Sequence, residues 1–433
     1  MAFRAASEHD DELIVPVAAL ERTMASSIPD GHSWTTARQA RVVPNECSIA
    51  LLPLRNLSGN PKDEPLCAGI TGDIIHNLTR FRDLTVLAQH SALRIKALAL
   101  APRQIAERLG VRYVLIGDLQ RKADGLEVHA RLLEADSEEI IWSMKFDGPL
   151  GDVFAFQDEV TEVIAANLAA EIRAAELRRA VDSAPAELSA YGLILRGEFL
   201  THQYQRAANL RARFLFERAR RVDPGYGRSY AALSRTFTLD WRYAWSKNPM
   251  ACLDHALELA ERAIQYDAFD ARGHAEMGFA CLYRKQHDAA LAAYERAIEL
   301  NPNDADILAE MGDALTFVGQ HERAIQLLTH AVRLNPFYPD WYLWNLGGAY
   351  FNIGDYRSAI DTLEQMSDRS EAHRLLASSY AHLGNMEEAR RHAAQLMAVH
   401  PNFSISHWRT VLPDWDQEPL ERLIDGMRKA GLK

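Results

Sequence analysis

Cysteine is scarce in this 433-residue chain: Cys47, Cys67, Cys252 and Cys281 are the whole set, and none forms a CxxC pair. That excludes a disulfide-stapled scaffold and a cysteine-rich zinc module, and fits a reducing compartment. No run of about 18 apolar residues occurs, so no membrane span is expected. The first twenty residues carry one early arginine, then acids, and Pro16 interrupts their short apolar stretch. That is a poor secretory signal, and the expected compartment is the cytoplasm. Positive charge is in deficit as well. Lys and Arg total 48 against 59 Asp and Glu, a net charge of −11. A bulk electrostatic grip on nucleic acid or anionic lipid is therefore not expected.

Catalytic signatures are also missing. The sequence has no Walker-type phosphate loop, no GxGxxG, no GxSxG and no HExxH. Gly59, Gly69 and Gly72 lie near a strand–helix junction and read as turn and packing glycines rather than an anion cradle. Asp63 and Glu64 read as solvated loop acids, because a general acid/base pair needs burial or neighbours to tune it. His287 and His321 stand 34 residues apart, and His400 and His407 lie near the end, but no zinc spacing connects them. No catalytic residue, metal or cofactor is expected.

What is present is a soluble globular composition, 48% hydrophobic and 25% charged. The chain divides into four stretches. Residues 1–45 read as an N-terminal extension or linker, within which Glu12–Ala25 could form a short helix. Residues 46–180 mix strands and helices. Ser48–Leu54, Leu84–Ala88, Tyr113–Gln120, Leu126–Glu134 and Ile140–Phe146 read as strands, with Ala123-Asp124-Gly125 as a hairpin turn. Gly69–Arg80 reads as an amphipathic helix. Pro102 opens a short one stopped by Gly110, and Asp152 caps a long one from Val153 to about Ala180. The order β-α-β-α-β-β-β-α gives a small α/β sheet domain. Residues 187–402 are helical repeats, and 403–433 form a closing segment. The predicted class is thus an α/β sheet domain followed by an all-α solenoid.

The repeats are the strongest signal. Gly278 recurs at Gly312, Ala290 at Ala324, Ala297 at Ala331 and Pro302 at Pro336, each step being 34 residues. Small residues let two antiparallel helices approach, Tyr294 and Leu328 fill the space beside them, and the prolines stop the second helix. Period and positions together resemble the tetratricopeptide repeat. The register extends to six units. The second carries an insertion around Asp240–Met250 and has Ala268 for its proline, and the fifth is shortened.

The stretch before the repeats resembles the TolB-amino-terminal-like domain. Asn56-Leu57-Ser58-Gly59, Gly69-Ile70-Thr71 and Gly110-Val111-Arg112-Tyr113-Val114 carry the likeness. The order of domain, long helix and repeats is similar to the C-terminal half of bacterial winged-helix transcription regulators and of class III adenylate cyclases with C-terminal repeats. The last residues, LERLIDGMRKAGLK, look like the closing helix of such cyclases. In both groups an output domain lies N-terminal, and 45 residues are too few for either output. The resemblance therefore implies a regulatory half without its usual effector.

The expected working surface is the inner face of the solenoid, at positions 2, 5, 9, 12 and 13 of each unit. Those positions supply Arg235, then Phe279 and Tyr283, then Asp313 and Phe317, then Trp341, Trp344, Phe351 and Asn352. A groove rich in aromatics with few charges suits a peptide with apolar anchors. The alternative for each aromatic is packing between repeats or under the Trp241–Trp245 insertion. Arg178, Arg179, Arg206, Arg211, Arg213, Arg218, Arg220 and Arg221 form the most basic stretch. It reads mainly as solvated faces and caps near a domain junction, with an acidic-partner or nucleic-acid patch as the alternative. The expected function is a non-enzymatic scaffold that binds a protein or peptide in its repeat groove, with the α/β stretch as a second surface for a small ligand. Two alternatives stand beside it: a DNA-associated regulator lacking a complete winged helix, and the regulatory half of a split adenylate cyclase.

Overall fold

A computed structural model describes residues 47–87, 101–122, 125–149, 153–184, 188–335, 338–401, 403–413 and 417–433. These belong to one compact unit, Pro44–Lys433. The predicted 1–45 linker, the helix at Glu12–Ala25, the turn centre Ala123-Asp124, the Asp152 cap and Pro336 lie outside the described residues.

The chain enters through β1 (Ser48–Leu51), all four residues buried. Successive strand side chains point to opposite faces, so β1 feeds two cores. Ile49 and Leu51 join the larger core, while Ala50 packs with Ile105 and Ala106 on the other side. β1 pairs in parallel with the two-residue β3 (Thr85–Val86) and with β4 (Tyr113–Arg121). β4, β5 (Gly125–Glu134) and β6 (Ile140–Pro149) follow as an antiparallel meander, so the sheet order is β3-β1-β4-β5-β6. The short β2 (Arg55–Asn56) adds to β4 at Asp118–Leu119. One helix, α1 (Glu64–Leu78), carries Pro65 in its first turn and packs Cys67, Ile70, Ile74 and Leu78 under the sheet. The other face takes α2 (Pro102–Leu109), ended by Gly110 at φ 67°. That left-handed backbone is one glycine adopts without a Cβ penalty.

Asp63 departs from the sequence reading. It is 1% exposed and receives two Arg121 nitrogens, at 2.5 and 3.1 Å. The Arg121 hydrogen bonds hold its carboxyl below the usual range. The acid pins the loop before α1 to the sheet, and β4 was the partner its local sequence could not show.

Helix α3 (Val153–Asp182) has two apolar faces. Phe156, Val160, Ile164, Leu168 and Ile172, spaced at i, i+4, face the sheet core. Val163 and Ala166 belong to the repeat core. A helix apolar on two faces needs cover on both, and α3 is the wall shared by sheet and solenoid. Asn167, 1% exposed, donates to the Leu334 carbonyl at 3.1 Å. The loop after α1 makes the second junction. Asp83 accepts from the Tyr226 hydroxyl at 2.9 Å and pairs with the nearly buried Arg228 at 3.0 Å.

Six antiparallel helix pairs follow among the described residues. They are α4 (Ala190–Thr201) with α5 (Arg206–Val222), and α6 (Gly227–Arg242) with α7 (Pro249–Tyr266). Next come α8 (Ala271–Tyr283) with α9 (His287–Leu300), and α10 (Ala305–Phe317) with α11 (His321–Leu334). The last are α12 (Asp340–Asn352) with α13 (Tyr356–Leu363), and α14 (His373–His382) with α15 (Met386–Val399). The small-to-large rule is visible in distances. A Cβ on Gly278 would lie 2.7 Å from the Tyr294 ring, and one on Gly312 2.6 Å from Leu328. The stack ends in α16 (Ile405–Val411) and α17 (Gln417–Lys429), whose Leu420, Ile424 and Met427 are buried. Such a cover is what the apolar end of a repeat array needs.

Candidate functional site

The first helix of each pair turns one side toward the inner face of the stack. A cavity of about 340 Å³ opens there, lined from α4, α6, α8, α10 and α12, with Arg173 of α3 closing one side. Of the nine residues predicted for the groove, five line it: Arg235, Phe279, Asp313, Trp341 and Trp344. Tyr283 is 2% exposed beneath them, edge-on to Phe279 at 5.1 Å. Phe317 and Phe351 sit in the repeat core, Phe351 against Tyr356 at 5.3 Å. Asn352 is half-buried, its carbonyl taken by Arg422 at 2.5 Å.

The expectation of few charges is corrected by the lining. Arg235 donates to both oxygens of Glu276 at 2.8–3.0 Å and to Glu310 at 2.6 Å. Its guanidinium also lies 4.1 Å from the Phe279 ring centroid. Arg272 adds Glu310 at 3.1 Å and Asp304 at 3.3 Å. Burial works against the Arg235 cation, and the Glu276 and Glu310 carboxylates outweigh it and keep it charged. This network ties α6, α8 and α10 together through their inner faces, so much of the charge is structural. Glu276 and Glu310 are 34 residues apart, as are Arg272 and Asp306. The repeat period was the signal that could have found them. Arg272 and Asp306 share position 2 with Trp341, one of those read as inner, whereas Glu276 and Glu310 occupy position 6, and only packing shows that it also faces inward.

The insertion in the second pair contributes the far wall. Arg242 reaches over Trp344 (5.4 Å), Tyr283 (5.7 Å) and Tyr243 (5.7 Å), and its Nε is buried without a partner among the described residues. Arg374 approaches the same Trp344 ring at 5.0 Å. The Trp344 indole N–H donates to the Glu371 carbonyl at 3.3 Å. Burial would raise the Glu371 carboxyl, but His400 and Arg374 outweigh it and hold the group down at about 2. Asp313 is the exception. Burial pushes it up to about 6 against the pull of Arg242. A second cavity of about 380 Å³ lies between α3, the Arg80–Leu84 loop and the repeats, and it shares Arg173, Glu198, His202, Arg272, Asp306 and Trp341 with the first.

Part of the basic stretch is consumed internally. Arg179 pairs with Glu176 at 3.0 Å, Arg213 with Asp240 at 2.9 Å and Arg220 with Glu217 at 2.6 Å. All four cysteines are buried, and burial pushes the Cys47 thiol up to about 12. Among the described residues, no cluster of three His, Cys, Asp or Glu could hold a metal, and no helix is long and apolar enough to cross a membrane.

Fold and groove together define the class: a solenoid of tetratricopeptide repeats, the build of a protein-interaction scaffold. Tetratricopeptide-repeat profiles match residues 271–304, 293–326 and 345–399. The profile of the second domain of HilA/YgeH-like transcriptional regulators matches residues 45–163. A curated relative, "Putative adenylate cyclase 3" of Rhizobium meliloti (strain 1021), is 33% identical over 269 residues. The match covers 60% of this chain, and the chain spans less than half, 46%, of that relative. Among solved structures, the APC/C hetero-tetramer Cut9-Hcn1 aligns over 65% of this chain and 49% of that one, at 18% identity and a TM-score of 0.42. A thermophilic tetratricopeptide-repeat protein of Thermus thermophilus aligns over 48% of this chain and all of its own, at 18% identity and a TM-score of 0.35.

Proposed function

We propose that this chain is a non-catalytic scaffold that takes a peptide segment of a protein partner into the inner groove of its repeats, within a signalling or transcription-regulating system. The observation carrying the reading is the cavity itself. It is lined by five consecutive repeat units, and it combines half-buried tryptophans with charged groups whose positions are fixed by ion pairs. Aromatic anchors beside preorganised polar groups are the surface a peptide ligand uses. The HilA/YgeH-like match and the cyclase relative support the regulatory setting. We read the sheet portion as a TolB-amino-terminal-like sensory module.

A second reading rests on the cyclase relative alone: the chain serves as a regulatory half for a catalytic domain on another polypeptide. One experiment addresses both. Intact chain and Trp341→Ala/Trp344→Ala are used side by side to capture partners from the native cell extract. A specific protein lost by the folded double variant supports the groove, and a cyclase catalytic chain among the captured proteins supports the second reading. Retention of every partner by the folded double variant overturns the groove.

A further inference from the structure

The carboxylates lining the cavity bear on the chemistry of the partner. The cavity lining holds four arginines against eight carboxylates. Seven of the eight are engaged. Glu198, Glu276 and Glu310 pair with arginine, Glu371 with His400, and Asp306 accepts from the Tyr342 hydroxyl. Asp340 and Asp368 accept backbone N–H groups. Asp313 is different: it is 8% exposed and its carboxylate makes no hydrogen bond or ion pair among the described residues. The two cations nearest its field, Arg242 and Arg374, are held against the Trp344 ring, and neither comes within ion-pairing distance of it.

Resting on the groove reading, we propose that Asp313 is the anchor for a basic side chain, arginine or lysine, of the partner peptide. An unpaired buried carboxylate is costly, and a cation that reaches it removes the cost. The surplus of acid in a confined, poorly solvated space draws positive charge inward. Trp341 and Met366 in the same lining supply apolar wall for the stem of a long basic side chain. Arg242, Arg374 and Glu310 are the charged groups facing Asp313. Arg242 competes with an incoming cation, and Glu310 helps it. Only the ionised form of Asp313 serves, so binding weakens as pH falls through about 6.

The test uses the full chain at low ionic strength and reads tryptophan fluorescence. The probes are acetyl-Ala-Ala-Arg-Ala-Ala-amide and its glutamate counterpart. The arginine peptide is expected to saturate and to bind about tenfold tighter than the glutamate peptide. Asp313→Asn, checked for fold by circular dichroism, loses about tenfold for the arginine peptide. Arg242→Met tightens it. Tighter binding of the glutamate peptide, abolished by Arg242→Met, overturns the proposal and keeps the groove. Binding of neither peptide, while Trp341→Ala/Trp344→Ala still loses its native partner, also overturns the anchor. Binding of neither, with the partner retained by the double variant, takes down the groove reading as well.

Discussion

Arg235→Ala removes a side chain that joins three consecutive inner helices, α6, α8 and α10. Glu276, its main partner, has a side chain only 4% exposed and receives three Arg235 contacts at 2.8–3.0 Å. Glu310 keeps Arg272 at 3.1 Å after the change, so the uncompensated charge is that of Glu276. Breaking one side of a buried pair costs about 3–5 kcal/mol. The Arg235 side chain is 20% exposed, which lets water soften the loss. The stacking on Phe279 adds about 0.5–1 kcal/mol. A net loss of about 3 kcal/mol is expected at pH 7.5, read as a lower urea midpoint by circular dichroism. The pH dependence has a definite sign. Burial already raises the Glu276 carboxyl above its ordinary value, and losing Arg235 raises it further. The folded variant then binds a proton that the unfolded chain does not, so its deficit shrinks as pH is lowered from 7.5 toward 5. Arg235→Met/Glu276→Leu removes both charges and recovers most of the loss. A loss below about 0.5 kcal/mol, or a deficit that grows on acidification, refutes the role given to the network.

Four other outcomes follow from the packing. Gly278→Ala places a Cβ 2.7 Å from the Tyr294 ring and costs about 1–3 kcal/mol in chemical denaturation, whereas Tyr294→Phe, which removes a buried hydroxyl without a partner among the described residues, is neutral or stabilising. Asp83→Asn weakens the junction to Arg228 and Tyr226 by about 2 kcal/mol. Hydrogen exchange then rises at residues 82–84 and 226–228 while the sheet amides stay protected, and unchanged exchange at the junction contradicts it. Burial, with His373 at 3.1 Å, holds the His392 ring down at about 4. The unfolded ring titrates near 6.5, so stability falls as pH drops from about 6.5 toward 4, by up to about 3 kcal/mol. His392→Phe flattens that part of the profile.

The repeats were legible because their physics is local and periodic. Gly278 and Gly312 announce a helix crossing, and the 34-residue step places it. The sheet was legible in its strands, although β3 shrank to Thr85–Val86. The groove was legible only in part. Phe317 and Phe351 stand at positions 13 and 12 of their units and lie in the repeat core away from the cavity, whereas Phe279 at position 9 lines it. Whether an aromatic at one of these positions is wall or core depends on its neighbours in space, which no single unit encodes. The charged network was missed for a related reason. Arg235 meets Glu276 at 41 residues' separation and Glu310 at 75, distances at which sequence spacing says nothing about contact. Asp63 is the same case in the sheet layer, a loop acid whose partner Arg121 lies 58 residues on.

The central claim is that the inner face of the repeats, rather than the sheet layer, is the working surface. Hydrogen–deuterium exchange of the intact chain, alone and with the partner captured from its native extract, tests that most directly. Protection is expected on α8, α10 and α12, centred on Phe279, Asp313 and Trp344. Protection confined to residues 47–149, with the inner helices unchanged, would contradict the account.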